Sequence, residues 1–357
     1  MKELFQSWFK RTFADPQVVI LAFLLLFVFG VIIFMGKLLA PLLASIVIAY
    51  LLEALVRVLM RNKLPRMPSV LIVFTMFVVV LVFLLFGLLP LLSSQVAQLV
   101  QELPNIIGRG QEALVRLPEL YPAYVSHEQI NEGIASVRNE LLDQGQNLLK
   151  FSISSITGIL TILIYLVLVP LLVFFFLKDK QQIVNWVAHY LPRERGLASQ
   201  VWAEMDQQVG NYVRGKFLEI IIAGTVTYVV FALMGLQYAM LLAALVGISV
   251  VVPYVGAVVV TLPVAAIAFF QWGWSSEFAY LILAYGVIQG LDGNLLVPIL
   301  FSEAVNLHPV AIIVAIVVFG GIWGILGVFF AIPLATLVKA VLTAWPTEPP
   351  DEQTAKT

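Results

Sequence analysis

The chain has 357 residues, of which 61% are apolar and only 11% are charged, and its net charge at pH 7 is −1. Soluble domains usually contain about 45–50% apolar and roughly 25% charged residues, so this composition indicates an integral membrane protein. The chain has no cysteine, which excludes disulfides, thiolate metal sites and thiol catalysis, and it has no basic block long enough to suggest nucleic-acid binding.

Eight apolar stretches are long enough to cross the bilayer core, which takes about 20 residues of helix. The predicted spans are 17–36, 38–56, 69–92, 151–177, 217–235, 239–271, 278–300 and 309–342. The first resembles a signal peptide, but it is too long and no small-residue cleavage site follows it, so we expect a retained helix. Because only Gly36 and Lys37 separate the first two spans, these are predicted to form a tight hairpin. The predicted fold is an all-α polytopic membrane protein with about eight membrane segments and additional amphipathic surface helices.

The placement of lysine and arginine predicts which loops face the cytoplasm, since cytoplasmic loops are enriched in both. Segment 57–66 carries four basic residues and no acid, and 178–216 is also rich in bases, so both are predicted to be cytoplasmic. Loop 94–149 carries three arginines against seven acids and is predicted to lie outside. Strict alternation of the spans then places both termini in the cytoplasm.

These features divide the chain into six regions. They are the N-terminal membrane segments with the first hairpin and third span (1–93), an extracytoplasmic amphipathic helical region (94–150), the fourth span (151–177), a cytoplasmic amphipathic region (178–216), a C-terminal membrane core (217–342) and a disordered cytoplasmic tail (343–357). Helices of the outer region either lie on the membrane surface or pack on the neighbouring spans, or they form a gate or an oligomer contact. In the inner region, 194–214 is predicted to be an amphipathic helix at the interface.

Two of the long apolar segments are interrupted by glycine and proline. Segment 239–271 contains SVVVPYVGAVVVTLP, and segment 309–342 contains FGGIWGILGVFFAIP. Paired interruptions of this kind point to the binding site of a transporter, although glycines also serve close helix packing in membranes. Each segment either crosses the membrane once or dips in and returns as a re-entrant hairpin.

A polar centre lies between the two interrupted segments, within the apolar run 278–301. A charge at the bilayer centre costs roughly 2.5–3.5 kcal/mol on the insertion scale, so such residues usually face a cavity or a partner. Asp292 stands near the middle of this run, with Gln289 predicted on the same helix face, Asn294 adjacent and Pro298 ending or kinking the helix. This group could bind a cation, a proton or a small polar solute, or it could hold the structure together. A second carboxylate, Glu219, lies one turn into its span and either snorkels to the surface or faces a cavity.

The sequence lacks the residues that a metal site, a nucleotide-binding site or an intramembrane protease would need. The three histidines are far apart, and His127-Glu128 has no second histidine at 131, so no metal site is expected. No Walker-type phosphate loop is present. An intramembrane aspartyl protease would need a second membrane aspartate, and the serine patch at 152–157 lacks a partner histidine. The chain is therefore not predicted to be an enzyme, and no cofactor is expected.

Five stretches resemble the autoinducer-2 exporter family of membrane transporters, and the resemblance covers nearly the whole chain. They are VPLLVFFFLKDK (169–180), NYVRGKFL (211–218), VPYVGAVVVTLP (252–263), IQGLDGNLLVPIL (288–300) and LHPVAIIVAIVVFGGIWGILGVFFAIPLA (307–335). Family members more often have glutamate at the position of Asp292 and a second glutamine at that of Gly290. The resemblance implies secondary transport across the bacterial inner membrane, with autoinducer-2 export in some members and sodium or lithium/proton antiport in others. It also implies eight membrane segments and a homo-oligomer such as a pentamer.

Two functional hypotheses follow. The first is a secondary transporter in which Asp292 exchanges a proton for a monovalent cation or solute. The residues predicted to contribute are Asp292, Gln289, Asn294, Pro253, Tyr254, Gly256, Pro298, Gly320, Gly321, Gly324, Gly327 and Pro333, with Glu219 as a secondary candidate. The alternative is a membrane scaffold that holds partners through 94–149 and 178–216.

Overall fold

The structure, a computed structural model, describes residues 16–115, 156–191, 196–253, 255–301 and 307–344. Within these ranges the chain forms helices and no strand, which confirms the all-α prediction. The helices are α1 (Pro16–Arg61), α2 (Arg66–Phe83), α3 (Leu89–Val115), α4 (Ile156–Lys178), α5 (Lys180–Tyr190), α6 (Gly196–Leu233), α7 (Ala239–Ser249), α8 (Val255–Trp272), α9 (Ser276–Leu291), α10 (Val297–Phe301), α11 (Pro309–Trp323), α12 (Ile325–Phe329) and α13 (Ala331–Ala344). Tyr254, residues 116–150 of the outer region and the tail from 345 lie outside the described residues.

The first helix is continuous where a turn was predicted. α1 runs through Gly36 and Lys37 for 46 residues, so the tight hairpin between 17–36 and 38–56 is wrong. One glycine in a helix costs only about 1 kcal/mol relative to alanine, whereas a turn in lipid would leave backbone groups without partners. Pro41 is also accommodated within α1, and its carbonyl accepts a hydrogen bond of 2.6 Å from the Ser45 hydroxyl.

Helices long and apolar enough to cross a membrane account for much of the described chain. They are Leu38–Arg61, Arg66–Ile106, Gly196–Leu233, Val255–Trp272 and Ser276–Phe301, and shorter apolar helices cover Leu163–Lys178, Ala239–Ser249, Pro309–Trp323 and Ala331–Thr343. Large apolar side chains point outward along these helices, with Leu233 exposed by 83% and Phe86 by 76%. Soluble proteins rarely expose apolar surface on this scale, so the bilayer is the solvent of this surface.

The chain divides into two compact units. Unit 1 comprises Met1–Val73, Leu168–Lys216 and Ile299–Thr357, and unit 2 comprises Phe74–Val167 and Phe217–Pro298. Unit 2 has a core of buried side chains from α6, α7, α8 and α9 that includes Phe231, Leu242, Val264 and Tyr285. In unit 1, Leu21, Val201 and Ala340 bring α1, α6 and α13 together.

The first interrupted segment folds back on itself in unit 2 as hairpin A (239–272). Its arms α7 and α8 pack together through Leu242 and Val264, among other buried side chains. The Gln271 amide joins the two ends of the segment, because it donates to the Gly235 carbonyl at 2.8 Å and accepts from the Gln237 N–H at 2.8 Å. A single crossing would hold these ends about 30 Å apart, so the structure selects the fold-back of the two alternatives.

Glycine is required at the tip of hairpin A. A Cβ added at Gly256 would collide with the backbone carbonyl of Ser249, at the end of the first arm. The turn itself is closed by the Gly256 N–H, which donates to the Val252 carbonyl at 2.9 Å. Because the colliding atom belongs to the backbone, no rotamer change could relieve the contact.

The second interrupted segment also folds back, in unit 1, as hairpin B (309–344). It begins at Pro309, where the His308 ring nitrogen Nδ1 accepts from the Val310 N–H at 3.3 Å. The chain reverses at Gly324, whose φ of +61° strains any residue with a side chain. A Cβ at Gly327 would collide with the Phe319 carbonyl, as at Gly256. The prediction of two broken segments is confirmed.

Cysteine labelling tests the fold-back of hairpin A directly, because the chain has no cysteine of its own. Gln237→Cys and Trp274→Cys flank the hairpin, and Trp274 is 87% exposed. We expect a membrane-impermeant maleimide to label both from the same side of intact spheroplasts. Asn62→Cys, in the segment predicted to be cytoplasmic, should label only after permeabilisation. Labelling of Gln237→Cys and Trp274→Cys from opposite sides would mean that the segment crosses once.

Gly256→Ala should lower the thermal stability of the detergent-purified protein. Overpacking against fixed backbone typically costs about 1–3 kcal/mol. Gly286→Ala is the matched control, because a Cβ at Gly286 in α9 meets nothing within 4 Å, and replacing a helical glycine by alanine gains roughly 0.5–1 kcal/mol. Equal melting temperatures for the two variants would contradict the close approach at Ser249.

Candidate functional site

Asp292 stands where its helix changes geometry. α9 begins at a cap in which the Ser275 hydroxyl accepts from the Phe278 N–H at 3.3 Å, and it ends in a π-helical turn, Asp292–Leu296. The Val297 N–H donates to the Asp292 carbonyl across this wider turn. Pro298 follows at once, and a proline both lacks an N–H and crowds the carbonyl four residues earlier, which favours a local widening. π-helical turns inside α-helices are frequent at functional sites.

The Asp292 carboxylate is partly shielded, and its surroundings leave room. The residue is half-buried, and its Oδ1 atom has less than 1 Å² of accessible surface. Cβ atoms added at the flanking Gly290 and Gly293 would meet nothing within 4 Å. Gly290 and Gly293 are exposed on the helix surface, so the backbone beside Asp292 is not covered by side chains at these two positions.

A chain of polar side chains runs from α9 to hairpin A. The Gln289 amide donates to the Tyr285 hydroxyl at 2.9 Å, and this hydroxyl lies 3.4 Å from the Thr261 hydroxyl in α8. Tyr285 is only 3% exposed, whereas Gln289 and Thr261 are half-buried, so these contacts are largely shielded from the surroundings. Gln289 is thereby oriented one helical turn before Asp292. Sequence reasoning missed Tyr285 and Thr261, because tyrosine and threonine are common in apolar helices and only their pairing makes them notable.

Asn294 has a local role. Its amide donates to the Gly290 carbonyl at 2.8 Å, which supplies a partner for a backbone oxygen at the π-helical turn. The residue itself is exposed. The three polar residues predicted together therefore differ: Asp292 is shielded, Gln289 belongs to the buried polar chain and Asn294 supports the backbone.

The predicted site residues of the hairpins occupy turn and packing positions. Pro253 is half-buried at the tip of hairpin A, where its carbonyl accepts from the Val255 N–H at 2.7 Å. In hairpin B, a Cβ at Gly320 would lie 2.8 Å from the Val328 side chain, whereas one at Gly321 would meet nothing within 4 Å. Pro333 is buried near the start of α13. These residues give the hairpins their shape and offer no side-chain ligand.

Glu219 is buried, at 2% exposure, in α6. Of the two alternatives for Glu219, snorkelling to the surface disagrees with this burial. One turn earlier, Lys216 is 4% exposed and places its ammonium 5.3 Å from the centre of the Phe301 ring. A buried carboxylate in an apolar helix is kept at a considerable desolvation cost. Glu219 therefore remains, in addition to Asp292, a candidate transport residue.

A polar pocket of about 220 Å³ in unit 2 was not predicted. It lies between α3, the α6–α7 turn and the end of α8, and its polar lining is Glu102, Asn105, Gln237, Tyr238 and Gln271. The Tyr238 hydroxyl donates to the Glu102 carboxylate, and burial, followed by this carboxylate, raises the pKa of Tyr238 to about 12. The phenol is therefore neutral at physiological pH. No cluster of three or more potential metal ligands occurs among the described residues.

These features define the class of the protein: it is an all-helical membrane protein with two glycine hairpins and a carboxylate within an apolar helix. The family model described as AI-2E family transporter matches residues 21–347, and the chain belongs to this family. It is 49% identical to "Putative permease PerM" of Escherichia coli (strain K12), over 97% of this chain and 98% of that protein. It is 28% identical to "Putative transport protein YueF" of Bacillus subtilis (strain 168), over 87% of this chain and 84% of that protein. "Putative transport protein YrrI" of the same organism is 26% identical over 85% of both chains.

Tyr285→Phe tests the buried polar chain. Losing the hydroxyl leaves the Gln289 amide without its acceptor, and we expect a loss of about 1 kcal/mol in stability, seen as a lower melting temperature. Tyr280→Phe removes the same atom from the same helix at a site that is 67% exposed, and it should have little effect. A larger loss for Tyr280→Phe would contradict the assigned hydrogen bonds.

Proposed function

We propose that the protein is a secondary transporter of the bacterial inner membrane that uses Asp292 as its coupling or binding carboxylate. It either exports a small polar solute such as autoinducer-2 or exchanges sodium or lithium ions for protons. The observation that carries the proposal is the shielded carboxylate at the start of a π-helical turn, inside a helix otherwise built for hydrocarbon. The names of the relatives as a permease and as transport proteins support the same class.

One carboxylate is sufficient for exchange between a proton and a cation. Protonation and cation binding both neutralise its charge, so the two ligands compete for the same oxygen atoms. In an apolar surrounding the neutral forms are much cheaper than the bare anion, which favours a state loaded with one ligand or the other. The absence of side chains at the exposed Gly290 and Gly293 lets a cation or a hydroxylated solute approach the backbone next to Asp292.

The hairpins provide the irregular backbone that a binding site in lipid needs. Non-helical backbone at membrane depth is tolerated where it is buried in protein or lines a water-filled cavity. The short arm of hairpin A has 11 residues, about 16 Å of helix, and so ends within a core about 30 Å thick. We infer that hairpin A is re-entrant and that its tip lies at the depth of the bilayer interior. The same reasoning extends to hairpin B, whose arms have 15 and 14 residues.

The proposed arrangement keeps both termini in the cytoplasm and assembles a homo-oligomer such as a pentamer. Support for the orientation comes from unit 1, where the two basic segments predicted to be cytoplasmic meet: Arg66 and Lys180 both contact Glu53. Segments that share an ion cluster must lie on the same side of the membrane.

Proton flux in proteoliposomes tests the role of Asp292. A preset pH gradient is challenged with sodium, lithium, potassium or autoinducer-2-like solutes, and flux is compared between wild type and Asp292→Asn. We expect flux in wild type and the level of protein-free vesicles in Asp292→Asn. Asp292→Glu, which restores the residue more common in the family, should retain flux.

Glu277→Gln is the matched control, because it removes a fully exposed carboxylate from the same helix. Full flux in this variant would show that loss in Asp292→Asn is specific. Unchanged flux in Asp292→Asn would remove Asp292 from the mechanism. Absence of flux from folded wild type with every solute would favour the scaffold, for which changes in 94–149 and 178–216 should abolish function while Asp292→Asn is silent.

A further inference from the structure

A buried carboxylate in unit 1 collects basic side chains from three helices. Glu53, near the end of α1, is 6% exposed. Its oxygens lie 3.8 Å from Arg57 Nε, 3.4 Å from Arg66 Nη2 and 3.5 Å from Lys180 Nζ. Arg66 Nη2 also donates to the Leu177 carbonyl at 2.8 Å, which ties the start of α2 to the end of α4. Glu53 and its three basic partners are called the basic cluster below.

The basic cluster has an excess of positive charge on its outer side. One carboxylate balances one of three cations, so a formal charge of +2 remains. The basic side chains reach the surface, with 56% of Arg57, 37% of Arg66 and 35% of Lys180 exposed, whereas the Glu53 side chain is 8% exposed. Arg61 and Lys63 are exposed on the same short segment. The buried carboxylate therefore holds the basic groups in place from the protein interior, and their exposed sides remain available to an anion.

The helix that begins at the basic cluster has an apolar face that is exposed in the part of the chain that the structure describes. α5 starts at Lys180, and its exposed residues include Trp186 at 64%, Val187 at 47% and Tyr190 at 71%. These side chains share one face of the helix, with the Trp186 and Tyr190 rings 5.2 Å apart, while Gln181, Gln182 and Asn185 lie on the other. Tryptophan and tyrosine concentrate at the level of lipid headgroups, and a helix of this kind lies in the interface plane.

We propose that the basic cluster binds the headgroup of an anionic phospholipid in the cytoplasmic leaflet, with α5 lying in the interface beside it. Guanidinium groups match phosphate oxygens in charge and geometry, and basic pockets on the cytoplasmic side suit anionic lipid headgroups. The apolar face of α5 supports a lipid rather than a free anion, because acyl chains would cover the exposed Trp186 and Val187. No residue of this site is among those proposed for transport, so its lipid binding does not depend on the transported solute.

Native mass spectrometry of the detergent-purified full-length protein measures the binding of added phosphatidylglycerol and phosphatidylcholine. Phosphatidylglycerol should bind more tightly, and each of Arg57→Gln and Lys180→Gln should weaken it about fivefold, the value of one basic residue at a membrane surface. Lys339→Gln, which removes an exposed lysine of α13, should leave the affinity unchanged.

Glu53→Gln distinguishes a lipid site with fixed cations from a general attraction of anionic lipid to positive charge. This substitution removes one negative charge and so raises the net charge by one. General attraction therefore predicts tighter binding of phosphatidylglycerol. A site that needs its cations held in place predicts weaker binding. Unchanged or tighter binding in folded Glu53→Gln would overturn the proposal, and if that variant does not fold, the contrast of Arg57→Gln with Lys339→Gln decides instead. Equal binding of the two lipids would also overturn it. So would displacement of phosphatidylglycerol by inorganic phosphate at equal concentration, because the occupant would then be a free anion.

Discussion

Every polar backbone group of a chain in lipid must find a partner within the protein, and this constraint shapes each irregular feature of the molecule. Where the chain reverses inside an apolar segment, the turn is so tight that Gly256 lies against the Ser249 carbonyl and Gly327 against that of Phe319. The same requirement explains why α1 passes through Gly36 without turning. At the described reversals, short-range backbone hydrogen bonds such as Gly256 N–H to the Val252 carbonyl and Gly324 N–H to the Gly320 carbonyl satisfy part of the backbone.

The sequence was sufficient to predict the features that depend on residue type and local spacing. Composition identified the bilayer as solvent, and the glycines and prolines of 239–271 and 309–342 located both breaks. Asp292 was conspicuous because a carboxylate in an apolar run is costly. The choice between a single crossing and fold-back could not be made from the sequence, since it depends on Gln271 meeting Gly235 and Gln237, residues that are distant along the chain. The hairpin error at Gly36-Lys37 arose because local signals cannot tell a tolerated glycine from a turn.

Charge is used differently in the two units. In unit 2, Asp292 is held near a polar chain of amide and hydroxyl groups, and Gln289, Tyr285 and Thr261 carry no charge. In unit 1, Glu53 is surrounded by basic side chains from α1, α2 and α5, and its carboxylate joins these three helices. The two carboxylates thus have different neighbours: an amide and a hydroxyl group precede Asp292 along its helix, whereas three basic groups surround Glu53.

The π-helical turn at Asp292–Leu296 is also the place where this helix can best tolerate a change in length. A π-helical turn holds one residue more than the α-helical turn it replaces. Deleting a single residue there, such as Gly293, would allow the backbone to close as a regular α-helix while the residues on either side keep their facing. The same deletion in the middle of α9 would rotate everything beyond it by about 100° and turn its apolar contacts away. Natural insertions and deletions in this helix should therefore gather at this turn.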